Sequence, residues 1–528
     1  MIPRTFPSSV ASNGSAQMIV YFLPSVSGLT RWVDYIPVQY TTASTSTTEN
    51  TYNQNGYIPV ASLSSISGLT PFKEYVPVYL DSSATDVWKV NITGFIPVGI
   101  AGVGGIPYAL FAAGEQGWVY DPSNLASLFQ DAAGTTPVTA MEQPVGLQLD
   151  LSGRGNHRRQ TTSANRPVVS ARVNLLTKTE QFDDAVWTRT SATIIATNTV
   201  SPIGISNAFT INYASTGTLR LTTPVSWVSG QTGTALIFVK KPSSGAASNV
   251  RISTNNGSAW NTGIGVKVAL TDVWQPLLVS GILQTGSSAV QLHIGTFAPD
   301  GTNDATCVGS VDVWGADLRP ANIGVNLPAY QRVNTSTDYD TAGFPIYIKA
   351  NGSNQFMVSN AIDFTATDKM TVWVGVRKLS DATGFSRFCE FGDVIASNGS
   401  FSFNAPANTT SPSYEIALRG SQTTAFVATT FAAPITSVAA IQYDIAKATR
   451  AEEIIPRINT IQPTLAGSGS ADAGTGNFGN YAAYHYARAG TSLFFGGHDY
   501  GSICRGAASS AAQITAAEGW INQRTKAY

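Results

Sequence analysis

Through most of this chain apolar and polar residues alternate in short runs broken by Gly, Ser, Thr and Asn, the period of half-buried strands. In Val290-Gln291-Leu292-His293-Ile294 the aliphatic residues share one face, with Gln291 and His293 on the other. Val250 and Ile252 likewise oppose Arg251 and Ser253, and Val372, Val374 and Val376 oppose Trp373. Ala235 to Val239 reads as a buried strand and Val311 to Trp314 as a closing one. Helical spacing shows at the end of the chain: Ile514, Ala517 and Ile521 recur behind a Ser510/Gln513 capping box, with Arg524 and Lys526 at the cationic end. This predicts a helix over about Ser510 to Thr525. The predicted class is all-β: N-terminal β repeats, then two β-sandwich (jelly-roll) domains, and one short C-terminal helix.

The first hundred residues repeat an aromatic, a β-branched residue and Pro-Val: Tyr35-Ile36-Pro37-Val38, Tyr57-Ile58-Pro59-Val60, Tyr75-Val76-Pro77-Val78 and Phe95-Ile96-Pro97-Val98. Residues 25–32 also match residues 65–72. Such self-similarity marks repeated supersecondary units. Proline cannot donate to a ladder, so these are narrow β units, and their edges are expected to meet another subunit or a larger particle. Tyr35, Pro37, Tyr57, Pro59, Tyr75, Pro77, Phe95 and Pro97 are the candidate assembly residues. The plainer reading is two duplicated hairpins in a small β domain.

Composition narrows the function. Only 12% of the 528 residues are charged and the net charge is −1, without the basic surplus of a nucleic-acid binder. Cys307, Cys389 and Cys504 are far apart, which points to free thiols made in a reducing compartment. Met18 to Leu23 is too short for a signal-peptide core or a membrane span, so a soluble protein that does not insert into membranes is expected.

Certain stretches resemble known families. Trp118 to Asp121, followed by Asp150-Leu151-Ser152-Gly153-Arg154-Gly155-Asn156-His157, resembles the opening of concanavalin-like (laminin-G-like) lectin domains of bacteriophage virion proteins. Asp340 to Phe356, Asp363 to Val372 and Arg505-Gly506-Ala507-Ala508 are similar to its continuation and end. Between them, Asn174-Leu175-Leu176-Thr177 with Glu180, and Val313 to Leu318 through Pro328-Ala329-Tyr330, resemble the two ends of a phage carbohydrate-binding-module-like jelly roll. The resemblance implies a discontinuous host. Residues 1–105 form the attachment region, 106–170 the first part of the lectin-like domain, 171–336 the inserted jelly roll, and 337–528 the remainder with the terminal helix.

Catalytic signals are thin. There is no HExxH helix, P-loop or CxxC pair, and Glu390 and Asp393 read as strand-end and turn residues rather than a glycosidase pair. No enzyme activity, cofactor or metal site is expected. Glycan binding needs only aromatic faces and converging polar groups. Arg251, Trp260, Gln291 and His293 on one jelly-roll face are candidates, against the alternative of a solvated sheet face. His485 and Tyr486, in a dense His/aromatic group, are further candidates, and His498-Asp499-Tyr500 is a similar group. Trp314, Trp373 and Trp520 read as core.

The resemblance therefore implies a structural fibre, spike or decoration protein of a tailed phage, made in the host bacterial cytoplasm and resident in the virion. Other virion proteins would hold residues 1–105, and a host surface glycan would meet the rest. A homotrimer is expected by analogy with phage fibres. The alternatives are a purely structural head, collar or tail component and, more remotely, a capsule or lipopolysaccharide depolymerase.

Overall fold

A computed structural model describes the strands 35–41, 53–59, 75–79 and 92–97, and residues 110–528 apart from 222–224, 227–232, 256–259, 282–288, 299, 321–326, 382–383, 408–412, 421–422, 429–430 and 470–475. The chain divides into two units, Met1–Gly105 and Ile106–Tyr528.

In the first unit the repeat resolves into two antiparallel hairpins. Tyr35–Thr41 pairs with Asn53–Pro59, and Tyr75–Tyr79 with Ile92–Pro97. The motifs pair with each other: Tyr35 lies opposite Pro59 and Pro37 opposite Tyr57, then Tyr75 opposite Pro97 and Pro77 opposite Phe95. The repeating object is thus a hairpin made of two motif copies. Within a hairpin both prolines fall on rungs of the same class, because antiparallel rungs alternate between bonded and non-bonded. Placing that class on the non-bonded rungs keeps the ladder whole and turns each missing N–H to the outer edge.

The second unit is β-sandwich throughout, with minor helix. Among its described residues, one sheet of seven strands and one of ten face each other. Both mix early and late chain. Gly117–Tyr120 pairs with Gly496–Arg505, Val168–Ser170 with Tyr347–Asn351, and Arg158–Arg159 with Met357–Asp363. Their shared core includes Val372, Val374, Val376, Phe391, Phe401, Phe403 and Ile416. Trp373 points the other way, into a smaller cluster with Ile514, Ala517, Trp520 and Ile521 of the terminal helix Ala511–Thr525. The capping box forms as the sequence predicts: Ser510 accepts from the Gln513 N–H while the Gln513 side chain accepts from the Ser510 N–H. Gly375 lets the helix sit close. A Cβ there would lie 2.7 Å from a Thr525 methyl and 2.8 Å from an Ile521 methyl.

Strands between 187 and 319 form a separate nine-stranded sheet among the described residues, wrapped around its own core of Ile211, Leu219, Ile237, Ile252, Leu292, Ile294 and Val313. A long hairpin, Trp187–Val200 with Ser206–Leu221, folds this sheet into two layers. Its ladder skips from Thr190↔Thr218 to Ala192↔Tyr213, with Ser191 at φ 48°. Below the skip the strand joins Ala289–Gly295, and above it Gly309–Arg319.

Candidate functional site

The structure brings some predicted site residues together but leaves few of them available. Arg251 and His293 lie on adjacent strands, with Ser253 opposite His293 and Asn255 opposite Gln291. Arg251 is committed to Asp304, 2.9 Å away, which also takes Lys267 at 2.7 Å. Gln291 accepts from Arg220 at 2.7 Å. His293 is 4% exposed although it faces away from the core. The segment after its strand crosses the sheet, where Ser253 donates to the Phe297 carbonyl at 3.2 Å, and the His293 ring lies 3.3 Å from Thr218 Oγ1. Burial, then the nearby Arg220, pulls its pKa down to about 3. Trp260 opens its strand opposite Asn255, and its side chain lies outside the described residues, as do the side chains of the eight assembly candidates.

His485 and Tyr486 require correction: both are sealed in the core between the seven- and ten-stranded sheets, out of a ligand's reach. His485 ends a strand on a rung with Cys389, so alternation turns it inward with Ala483, edge-on to Trp118 and Tyr120 at 5.9 and 5.3 Å. Tyr486 donates to Asp499 at 2.6 Å, and Asp499 also takes Arg158 at 2.8 Å in a fully buried pair. His498 is buried too, stacked on Tyr347 at 3.7 Å. Desolvation holds His485 and His498 neutral, well below the usual histidine pKa.

An aromatic cluster that borders open space lies on the nine-stranded sheet, where Phe238 and Tyr330 are half-buried and Trp314 is 2% exposed. On the strand Gly309–Arg319, Val311 and Val313 enter the core, and Asp312 and Trp314 take the opposite face. The ladder then slips: Phe238 opposes Trp314 but Leu236 opposes Asp317. Gly315, at φ 67°, is the bulge residue, and a Cβ there would press at 3.4 Å on both Phe238 and Tyr330. The bulge makes room for Phe238 and Tyr330 to close on Trp314, at centroid distances of 5.5 and 4.7 Å.

These rings floor a cavity of about 510 Å³. Pro202, Ile203 and Ile205, from the turn of the long hairpin, form its apolar rim, the two isoleucines each 56% exposed. Glu180, Asn207, Arg332 and Asp340 are its polar groups. Asn207 donates to Glu180 at 2.9 Å, Tyr330 and Thr179 share a hydroxyl hydrogen bond of 2.7 Å, and Arg332 reaches Asp338 and Asp340 at 3.1 Å each. Burial raises the Glu180 pKa, against the lowering pull of a Tyr330 hydrogen bond and of Arg332. A second cavity of about 450 Å³, lined by Tyr339 and Phe344 among others, shares Tyr330 and Asp340 with the first.

The return segment that carries Tyr330, Arg332 and Asp340 is held by two buried amides. Gln331 accepts from the Val173 and Asn174 N–H groups at 2.7 and 2.9 Å and donates to the Ala171 and Asp340 carbonyls at 2.9 and 2.8 Å. Asn174 donates to Ala316 and Gln331 carbonyls and accepts from Leu176 and Leu318 N–H groups. Both side chains are fully buried with their hydrogen-bonding capacity used.

Sequence reasoning missed Phe238, Asn207, Ile203, Ile205, Arg332 and Gln331. It quoted Glu180, Tyr330 and Asp340 for their resemblance and assigned them no role in a site, and it read Trp314 as core, which agrees with its 2% exposure. The available signal was Gly315 inside an apolar strand, which marks a bulge or a close approach. Among the described residues no group of three or more His, Cys, Asp or Glu is placed to hold a metal. All three cysteines are buried and free, and no described helix is long and apolar enough to cross a membrane.

The fold defines an all-β protein of β-sandwich, jelly-roll-like architecture. No protein-family model matches the chain, nor does any curated protein. Among solved structures, the N-terminal CBM22-1-CBM22-2 tandem domain from Paenibacillus barcinonensis Xyn10C aligns at 10% identity over 63% of this chain and 97% of that chain, with a TM-score of 0.22. At that score the likeness carries no argument, and the fold assignment rests on the strands described above.

Proposed function

We propose that this chain is a non-enzymatic structural protein of a tailed-phage virion, held by residues 1–105 and presenting a glycan-binding surface on residues 106–528. In this reading residues 106–170 and 337–528 form one lectin-like domain and 171–336 an inserted jelly roll. The observation that carries the binding half is the cleft over Phe238 and Tyr330, which Trp314 backs from beneath, with Glu180, Asn207, Arg332 and Asp340 around it. Aromatic faces take the C–H faces of sugars, while the polar groups fix the hydroxyls. The paired motif hairpins support the attachment half, as a duplicated element able to occupy two equivalent sites. Weak sugar contacts would gain from display of many copies, and a homotrimer is the assembly proposed.

The test is to locate the chain in purified particles by cryo-electron microscopy and to measure binding of the purified full chain to host surface polysaccharide. Density at a fibre, spike or tail tip, with polysaccharide binding lost in Phe238→Ala, is the expected result. Density buried in the capsid or collar, with no binding, would replace this reading by a purely structural role. Release of reducing ends from the polysaccharide would replace it by a depolymerase.

A further inference from the structure

Polar and charged clusters recur across the second unit, but most are closed on themselves. The Arg158–Asp499 group lies in the core. On the ten-stranded sheet Glu390 is neutralised between Arg387 and Arg488. The cleft over Trp314 differs, because its groups border open space and its two lobes have distinct linings.

Resting on the glycan-binding reading, we infer that the cleft selects a neutral or amino-sugar chain of two or more units and discriminates against acidic glycans. Length follows from shape. The lobes, about 510 and 450 Å³, are of similar size and share only Tyr330 and Asp340. A ligand long enough to occupy both would run beside Tyr330 and Asp340, with one unit against Phe238 and the next beside Phe344. Charge selectivity follows from the surroundings, where Glu180 and Asp340 face Arg332, and the other guanidinium beside the cavities, Arg319 over Phe344, is held by Asp317. The Arg332 guanidinium is already taken by Asp338 and Asp340 at 3.1 Å each. A uronic or sialic carboxylate would have to displace one of them while facing Glu180, and like-charge contact is a strong rejecting element. A hydroxyl or an ammonium meets no such barrier.

The experiment is calorimetric titration of the full chain with four probes: a neutral hexose, its tetramer, a glucosamine tetramer and a uronic-acid tetramer. The expected result is binding of the neutral and glucosamine tetramers at least about tenfold tighter than either the hexose or the uronate, the size of effect one misplaced charge produces. Glu180→Gln combined with Asp340→Asn is expected to narrow the gap between neutral and uronate tetramers to about threefold or less, and Tyr330→Ala to abolish the advantage of the tetramer over the hexose. Both sets of changes lie on partly exposed side chains, and the charge pair leaves the aromatic floor intact. Equal or tighter uronate binding, or a hexose as tight as its tetramer, would overturn this inference and leave glycan binding standing. Binding that is indifferent to Tyr330→Ala would move the site elsewhere and overturn it as well. No binding of any probe or of host polysaccharide would remove the reading on which it rests.

Discussion

The core between the seven- and ten-stranded sheets and the cleft on the nine-stranded sheet use the same kinds of residues to opposite ends. In the core, Trp118, Tyr120, His485, Tyr486, Arg158 and Asp499 form an aromatic and charged cluster with no exposed surface. In the cleft, Phe238, Tyr330, Glu180 and Arg332 border open volume, packed on a Trp314 that is 2% exposed. The core group lies where strands from both ends of the chain face one another across the sandwich. The cleft group lies on a sheet's outer face, opened by one bulge and rimmed by a hairpin turn. Aromatic and ionisable residues do not by themselves mark a binding site; what surrounds them decides.

The sharpest way to test that contrast is to break each cluster. Asp499→Ala leaves Arg158 buried without its counter-ion, and a loss of about 3–5 kcal/mol is expected in denaturant unfolding of that sandwich. Glycan binding should survive wherever the protein still folds; binding lost together with the charge pair would join the two regions. A smaller stability effect with a larger binding effect is expected for Gly315→Val. Its left-handed backbone and the 3.4 Å contacts on Phe238 and Tyr330 should cost about 1–3 kcal/mol, and the shifted rings should weaken binding. Unchanged affinity would show that the bulge does not shape the cleft.

The buried histidines give a pH signature. His485 stays neutral in the folded protein, well below the usual histidine pKa, because burial and then Arg158 oppose its charge. The unfolded chain takes up a proton below about pH 6.5, so this group's contribution is full above that pH and is lost as pH falls. Glu180, Asp312, Asp317 and Glu415, raised by burial, act in the opposite direction. The informative quantity is therefore the difference between wild type and His485→Phe. That variant should lessen the loss by about 1.4 kcal/mol per pH unit between about pH 6 and 5. Identical pH profiles would mean that His485 titrates in the folded protein as it does in the unfolded chain. The smallest effect belongs to Ser510→Ala, which removes the helix cap and should cost about 1 kcal/mol. Hydrogen exchange should rise in Ala511–Thr525 and leave the cleft unchanged.

Much of the fold was legible because strand alternation is local. Val372, Val374 and Val376 divide from Trp373 as the period of two requires, and the terminal helix follows from its cap and its apolar spacing. Alternation fails at bulges. Arg387 and Glu390 stand three apart yet meet at 3.4 Å, because the ladder shifts between Arg387 and Cys389. Gly315 has the same effect at the cleft. His485 and Tyr486 were misread because a His between tyrosines resembles an exposed recognition loop, whereas pairing with Cys389 turns it inward. The cleft itself draws on residues 180, 207, 238, 314, 330 and 340, which only tertiary closure brings together.

The two amides at the join have a consequence for how such a protein can vary. Every hydrogen bond made by the Asn174 and Gln331 side chains goes to a main-chain N–H or carbonyl. The join is therefore blind to the identity of its neighbours. A different sandwich bearing the same pair at its ends could be spliced into the same position with the seam intact.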